Sequence, residues 1–83
     1  MKILYFAWLR SAIGMPEETI NLPEGVRSLH QLIEWQKGRG PAFEKAFADM
    51  DTIRIAVNQE YITDDITLTG NEEIAFFPPV TGG

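Results

Sequence analysis

The sequence predicts a two-layer α+β domain, a mixed sheet with one main helix packed on one face. Three observations lead there. Residues 2–9 and 18–22 alternate their large side chains and are separated by Gly14 and Pro16, the pattern of two strands joined by a turn. Leu29, Leu32 and Ile33 follow Ser28 at helical spacing. Short alternating runs then return at 53–57, 60–62 and 73–77.

Each element has its own warrant. In the first strand Ile3, Tyr5 and Ala7 share one face and Leu4, Phe6 and Trp8 the other, and the β-branched and aromatic content suits a pleated surface. Glu18 to Leu22 alternates again, placing Ile20 and Leu22 together, before Pro23-Glu24-Gly25 breaks the run. Ser28 with Gln31 three residues later forms a capping-box signature, so a helix is expected over about 28–37, stopped by Gly38 and Gly40. Pro41 is suited to open a second short helix that puts Phe43, Ala46 and Phe47 on one side. Ile53, Ile55 and Val57 face one way, Asn58-Gln59 makes a tight turn into Glu60-Tyr61-Ile62, and Ile74 and Phe76 oppose Ala75 and Phe77. The helix is expected to cover Ile3, Tyr5, Ile20, Leu22, Ile55, Val57, Ile74 and Phe76. Pro78-Pro79 ends pairing, because proline has no amide donor. Hairpin, crossover helix and further strands is the order of the ubiquitin-like β-grasp fold, expected over residues 1–79, with residues 80–83 as a flexible tail.

Composition narrows the function. Eighty-three residues, 45% apolar, 23% charged and of net charge −5, suit one thin-cored domain that repels phosphate backbones, so no nucleic-acid partner is expected. The chain has no cysteine, which removes disulfides and thiolate chemistry, and its single histidine, His30, cannot build a multi-histidine metal site. The apolar start is too short for a membrane span, which takes about 20 residues, and lacks the form of a signal peptide. A cytoplasmic protein with no membrane partner and no bound metal or cofactor is the expectation.

The informative segment is the ending, FFPPVTGG. A strand, a diproline stop and two glycines leave a bare tail whose last residues, Val80, Thr81, Gly82 and Gly83, suit threading through a narrow channel. From Pro78 onward it reaches about 20 Å when extended.

On these residues the chain resembles the small subunits of molybdopterin synthase, ubiquitin-like sulfur carriers. LYFAWLR with Arg10, AVNQEYI, Gly70 with Glu72-Glu73, and AFFPPVTGG are similar to that family's segments over nearly the whole chain. The resemblance implies that Gly83 is the reacting group. A partner adenylating enzyme, using MgATP, converts its carboxylate to an acyl-adenylate, and sulfur then displaces AMP to give a thiocarboxylate. That tail enters the large synthase subunit, where the catalytic pocket lies, and donates sulfur to cyclic pyranopterin monophosphate. Two carriers sit at opposite ends of a dimeric large subunit. A thiamin-pathway sulfur carrier, a ubiquitin-like protein modifier and a β-grasp interaction module with an inert tail are the competing readings.

The remaining residues read more plainly. His30 is expected at the surface. Asp64-Asp65 and Glu72-Glu73 read as solvated turn charges rather than metal ligands, and Trp8 and Trp35 as packing or surface-covering groups. Gly38, Gly40, Lys37 and Arg39 lack the pattern of a phosphate loop. The uncovered sheet face carries Leu4, Phe6, Tyr61, Ala75 and Phe77, and a contiguous apolar patch there marks a partner surface. Phe6, Tyr61 and Phe77, with Pro78 and Pro79, are its candidate contacts.

Overall fold

A computed structural model of the chain describes residues 1–79. Strand β1 (Lys2–Tyr5) leads to helix α1 (Trp8–Ile13) and strand β2 (Glu17–Thr19). Helices α2 (Leu29–Lys37) and α3 (Pro41–Ala46) follow, then strands β3 (Arg54–Val57), β4 (Glu60–Ile62) and β5 (Glu73–Phe77). The sheet order is β2-β1-β5-β3-β4. Strand β5 enters between the two hairpins, parallel to β1 and antiparallel to β3, which makes the sheet mixed as expected. This connectivity, with α2 crossing between the hairpins, is that of the β-grasp.

The first strand is shorter than its alternation suggests. It ends at Tyr5, and Trp8 and Leu9 belong to α1, so a helix rather than a short turn joins β1 to β2. The cause is local. Ala7 adopts φ 54° and ψ −130°, and the Leu9 amide donates to the Phe6 carbonyl at 3.1 Å, which closes a tight turn and leaves the sheet. Alternation could not show this, because Leu9 is as apolar as a strand residue and is fully buried as a helical one. Strand β2 is likewise short and starts one residue earlier than expected, so Ile20 and Leu22 lie beyond its end.

Helix α2 begins where its cap requires. Ser28 Oγ accepts from the Gln31 amide at 3.2 Å, and Gln31 Oε1 accepts in return from the Arg27 amide at 2.7 Å. Asp65 Oδ1 accepts from the His30 amide at 2.8 Å, a cap supplied from 35 residues away. These contacts satisfy amides that have no partner inside the helix.

The core lies between sheet and helices. Ile3, Tyr5, Val57, Ile74 and Phe76 are buried on the sheet side, and Ile20, Leu22 and Ile55 pack partly buried against them. Leu29 and Leu32 of α2 face them, Ile33 lies at the margin, and Ala46 and Phe47 close the α3 side. Phe76 links the layers, with the Tyr5 ring stacked at 6.1 Å and the Phe47 ring edge-on at 5.0 Å.

Candidate functional site

Strand register builds the opposite face. Leu4 lies beside Ala75, Ala75 beside Ala56, and Ala56 beside Tyr61, so one apolar row crosses four strands. Toward the start of β5 the flanking row is charged, with Lys2 beside Glu73. Toward its end Phe77 pairs with Arg54, and the Phe6 amide donates to the Phe76 carbonyl at 3.1 Å, which brings Phe6 beside the end of β5. The apolar character therefore increases toward the point where the chain leaves the sheet.

The predicted contact residues gather there. Phe6 is 46% exposed and Tyr61 75%, and both lie among the large exposed hydrophobics of the described residues. The Tyr61 and Phe77 rings meet at 5.5 Å with a 40° tilt. Phe77, Pro78 and Pro79 are half-buried, as are Leu4 and Ala75, so the patch is a graded surface with aromatic high points. Arg54, Tyr61, Thr63 and Phe77 line a depression of about 300 Å³ on this side. Trp8, 40% exposed just past the Ala7 turn, is a further exposed aromatic beyond those expected in the patch. Val80, Thr81, Gly82 and Gly83 lie outside the described residues.

A second cluster was not foreseen. The Tyr5 hydroxyl donates to Glu18 Oε2 at 2.6 Å and accepts from Gln36 Nε2 at 2.7 Å. Arg39 grips both Glu18 oxygens, at 2.7 and 2.8 Å, and donates to Gln36 Oε1 at 2.8 Å. The guanidinium also lies 4.7 Å from the Trp35 ring centroid and 4.3 Å from that of Phe43. Bonding from Arg39 holds the Glu18 carboxyl below its ordinary range against the opposing effect of burial, and the Tyr5 bond adds to it. Burial foremost, then the Glu18 carboxylate, pushes the Tyr5 phenol far up, so it stays protonated. No buried side-chain polar atom here lacks a partner, and Tyr5 and Gln36 are closed to solvent. It straps the α2–α3 loop to β2 and offers no free nucleophile or base.

Glu72 departs from expectation. It is buried rather than solvated, and its carboxylate accepts from the amides of Thr69 and Gly70, at 2.7 and 2.8 Å, and from the Thr69 hydroxyl at 3.0 Å. Burial raises its pKa, but those donors outweigh burial and the net shift is downward. Glu72 thus ties the turn before β5 rather than meeting water. Asp65 has a structural task too, as the remote cap of α2, while His30 is exposed as expected. No cluster of three metal-ligating side chains occurs among the described residues, and none of their helices is long and apolar enough to cross a membrane.

With that geometry in view, comparison with known proteins gives one answer. The ThiS family matches residues 3–83. The molybdopterin synthase sulfur carrier subunit of Dictyostelium discoideum is 38% identical, over 99% of this chain and 94% of that protein. A Pyrococcus furiosus chain described as molybdopterin converting factor subunit 1 superposes with a TM-score of 0.68 at 34% identity, over 95% of each chain. SAMP1 from Haloferax volcanii superposes at 0.75 with 25% identity, over all of this chain and 98% of that one. A sheet with one helix-covered face and one apolar face, a shared fold and a shared sequence along its length agree: the chain belongs to the ThiS family, alongside the molybdopterin synthase sulfur carrier subunits.

Proposed function

We propose that this chain is the sulfur carrier subunit of a molybdopterin synthase and that Gly83 is its reacting residue. The observation that carries the reading is the family match, which runs from residue 3 through Gly83 and so includes the FFPPVTGG ending. The fold supports it by what it omits. Among the described residues the closed Tyr5–Glu18–Arg39–Gln36 cluster is spoken for, and the middle of the open face is an aliphatic and aromatic row, with its charged groups Lys2, Glu73 and Arg54 at the two ends. Chemistry on such a chain belongs to its end, with the catalytic groups on partners.

The end needs activation because a carboxylate is a poor acyl donor. An adenylating partner joins the Gly83 carboxylate to the AMP part of ATP and releases pyrophosphate. A sulfur nucleophile then attacks the acyl carbon and AMP leaves with its bonding pair, giving the thiocarboxylate. The large synthase subunit receives the tail, and the sulfur passes to a pterin precursor of the molybdenum cofactor. Gly82 leaves the channel unobstructed, and the aromatic face holds the body of the carrier against its partner while Val80 and Thr81 span the distance. The working state is a heterotetramer in the cytoplasm.

Intact mass tests this. Incubation with ATP, the adenylating enzyme and a sulfur source is expected to add the mass of one sulfur-for-oxygen replacement at the C-terminus. Covalent conjugates to other proteins, without that replacement, would favour a protein modifier instead.

A further inference from the structure

The open sheet face holds two cations among the described residues, and they differ. Lys2, at the charged end, pairs with Glu17 at 3.2 Å. Arg54, at the end where the chain leaves the sheet, forms no ion pair among the described residues. Its Nη1 donates instead to the backbone carbonyls of Asp51 and Ile53, each at 3.2 Å. Those contacts orient the guanidinium and set no carboxylate of the described residues against its charge. Arg54 stands directly across the β3–β5 ladder from Phe77 and shares the depression with Tyr61 and Thr63. A held guanidinium framed by aromatic rings has the composition of an interface anchor, where arginine and tyrosine are enriched and most charges are depleted.

We infer that Arg54 is the electrostatic anchor of this face and that its counterpart is a carboxylate side chain of the large synthase subunit, seated in the Tyr61–Phe77 depression. The inference rests on the sulfur-carrier reading and adds to it a specificity-determining contact. Charge complementarity argues for the occupant. A carrier with a net charge of −5 presents at this end of the face a positive group with no ion pair among the described residues, and a cationic or neutral group opposite it leaves that guanidinium desolvated without a partner. The anchor also fixes register, because an apolar row alone tolerates sliding whereas a bidentate guanidinium–carboxylate pair does not.

The test is calorimetric binding of the full-length carrier to the purified large subunit of the same organism. Arg54→Glu is expected to weaken binding about 30-fold or more, and Arg54→Gln about tenfold, with a shallower salt dependence than wild type. Lys2→Glu, at the far end of the face, is expected to stay within about twofold of wild type, since exposed rim charges contribute little. Some Asp→Lys or Glu→Lys variant of the large subunit should recover affinity for Arg54→Glu. Thermal melting of each carrier variant confirms folding, as Arg54 is exposed. Wild-type affinity in Arg54→Glu alongside weakened binding in Phe77→Ala would overturn the anchor and leave the sulfur-carrier reading standing. Loss of binding only to the adenylating enzyme would overturn the assignment of the partner. Absence of any binding between the wild-type carrier and the large subunit would overturn both inference and reading.

Discussion

Arg39 shows what a single residue does in so small a domain. It sits between two glycines that stop a helix, and its spacing suggests only a loop cation. In the fold it neutralises Glu18, which β2 places opposite Ile3 on the core side, and it roofs the Trp35 and Phe43 rings. Sequence parity held half of the clue. Tyr5 falls on the covered face, and a buried phenol needs a hydrogen-bond partner. The other half, that Glu18, Gln36 and Arg39 converge on it, depends on contacts up to 31 residues apart and leaves no local pattern. Arg39→Ala strands the Glu18 carboxylate and is expected to cost about 2–4 kcal/mol in urea unfolding. Acid is expected to act on the same carboxylate and on Glu72. Both have folded values below the ordinary 4.5, so their contribution is complete above that pH and is lost as pH falls through the folded values. Glu18→Gln and Glu72→Gln should each lower the melting temperature at neutral pH and flatten its decline in acid. An unchanged acid slope in both variants would show that other groups govern acid unfolding.

Elements were legible where local chemistry decides them. The α2 cap, the Pro41 start of α3 and the bounds of β5 follow from residue type and spacing. The β3–β4 turn is another such case, with Asn58 at φ 50° and Gln59 at φ 70°. Both values are positive, as a two-residue hairpin turn of this hand requires, and Gln59 adopts its value without the ease of glycine. Gln59→Gly is expected to stabilise the domain by up to about 1 kcal/mol, and a lower melting temperature would show that the Gln59 side chain contributes more than the backbone relief. Helix α1 was illegible for the opposite reason. Its six residues carry no side-chain cap, and the turn at Ala7 uses a backbone conformation that glycine normally supplies. Packing chose the helix, because Leu9 gains full burial there. The same logic makes Leu32, wholly buried in α2, a costly truncation in the helical layer. Leu32→Ala should lose about 2–5 kcal/mol, whereas a loss under about 0.5 kcal/mol would deny its burial.

At the scale of the molecule the two faces of the sheet divide the work. One face spends its aliphatic and aromatic residues on the core, and the other carries an apolar row from Leu4 to Tyr61, which the proposed function assigns to a partner. That division was readable from strand parity. Arg54 was not, because the role proposed for it rests on its having no ion pair among the described residues and on the ladder position opposite Phe77. On the proposed function the arrangement separates stability from reactivity, which makes the tail testable alone. The hydrophobic core of the described residues ends with Phe76, and a melt that matches wild type is the expected result of deleting Gly83. The same deletion draws the terminal carboxylate back by about 3.5 Å, beyond attacking distance of a bound nucleotide's phosphate. An extra residue after Gly83 places the wrong carboxylate there, and a bulky side chain in place of Gly82 obstructs the approach. All three variants should therefore retain the wild-type circular dichroism melt and acquire no sulfur after incubation with ATP, the adenylating enzyme and a sulfur source. Full sulfur loading of the Gly83-deleted chain would refute Gly83 as the reacting residue, and a lowered melt in that variant would refute the separation of tail from core.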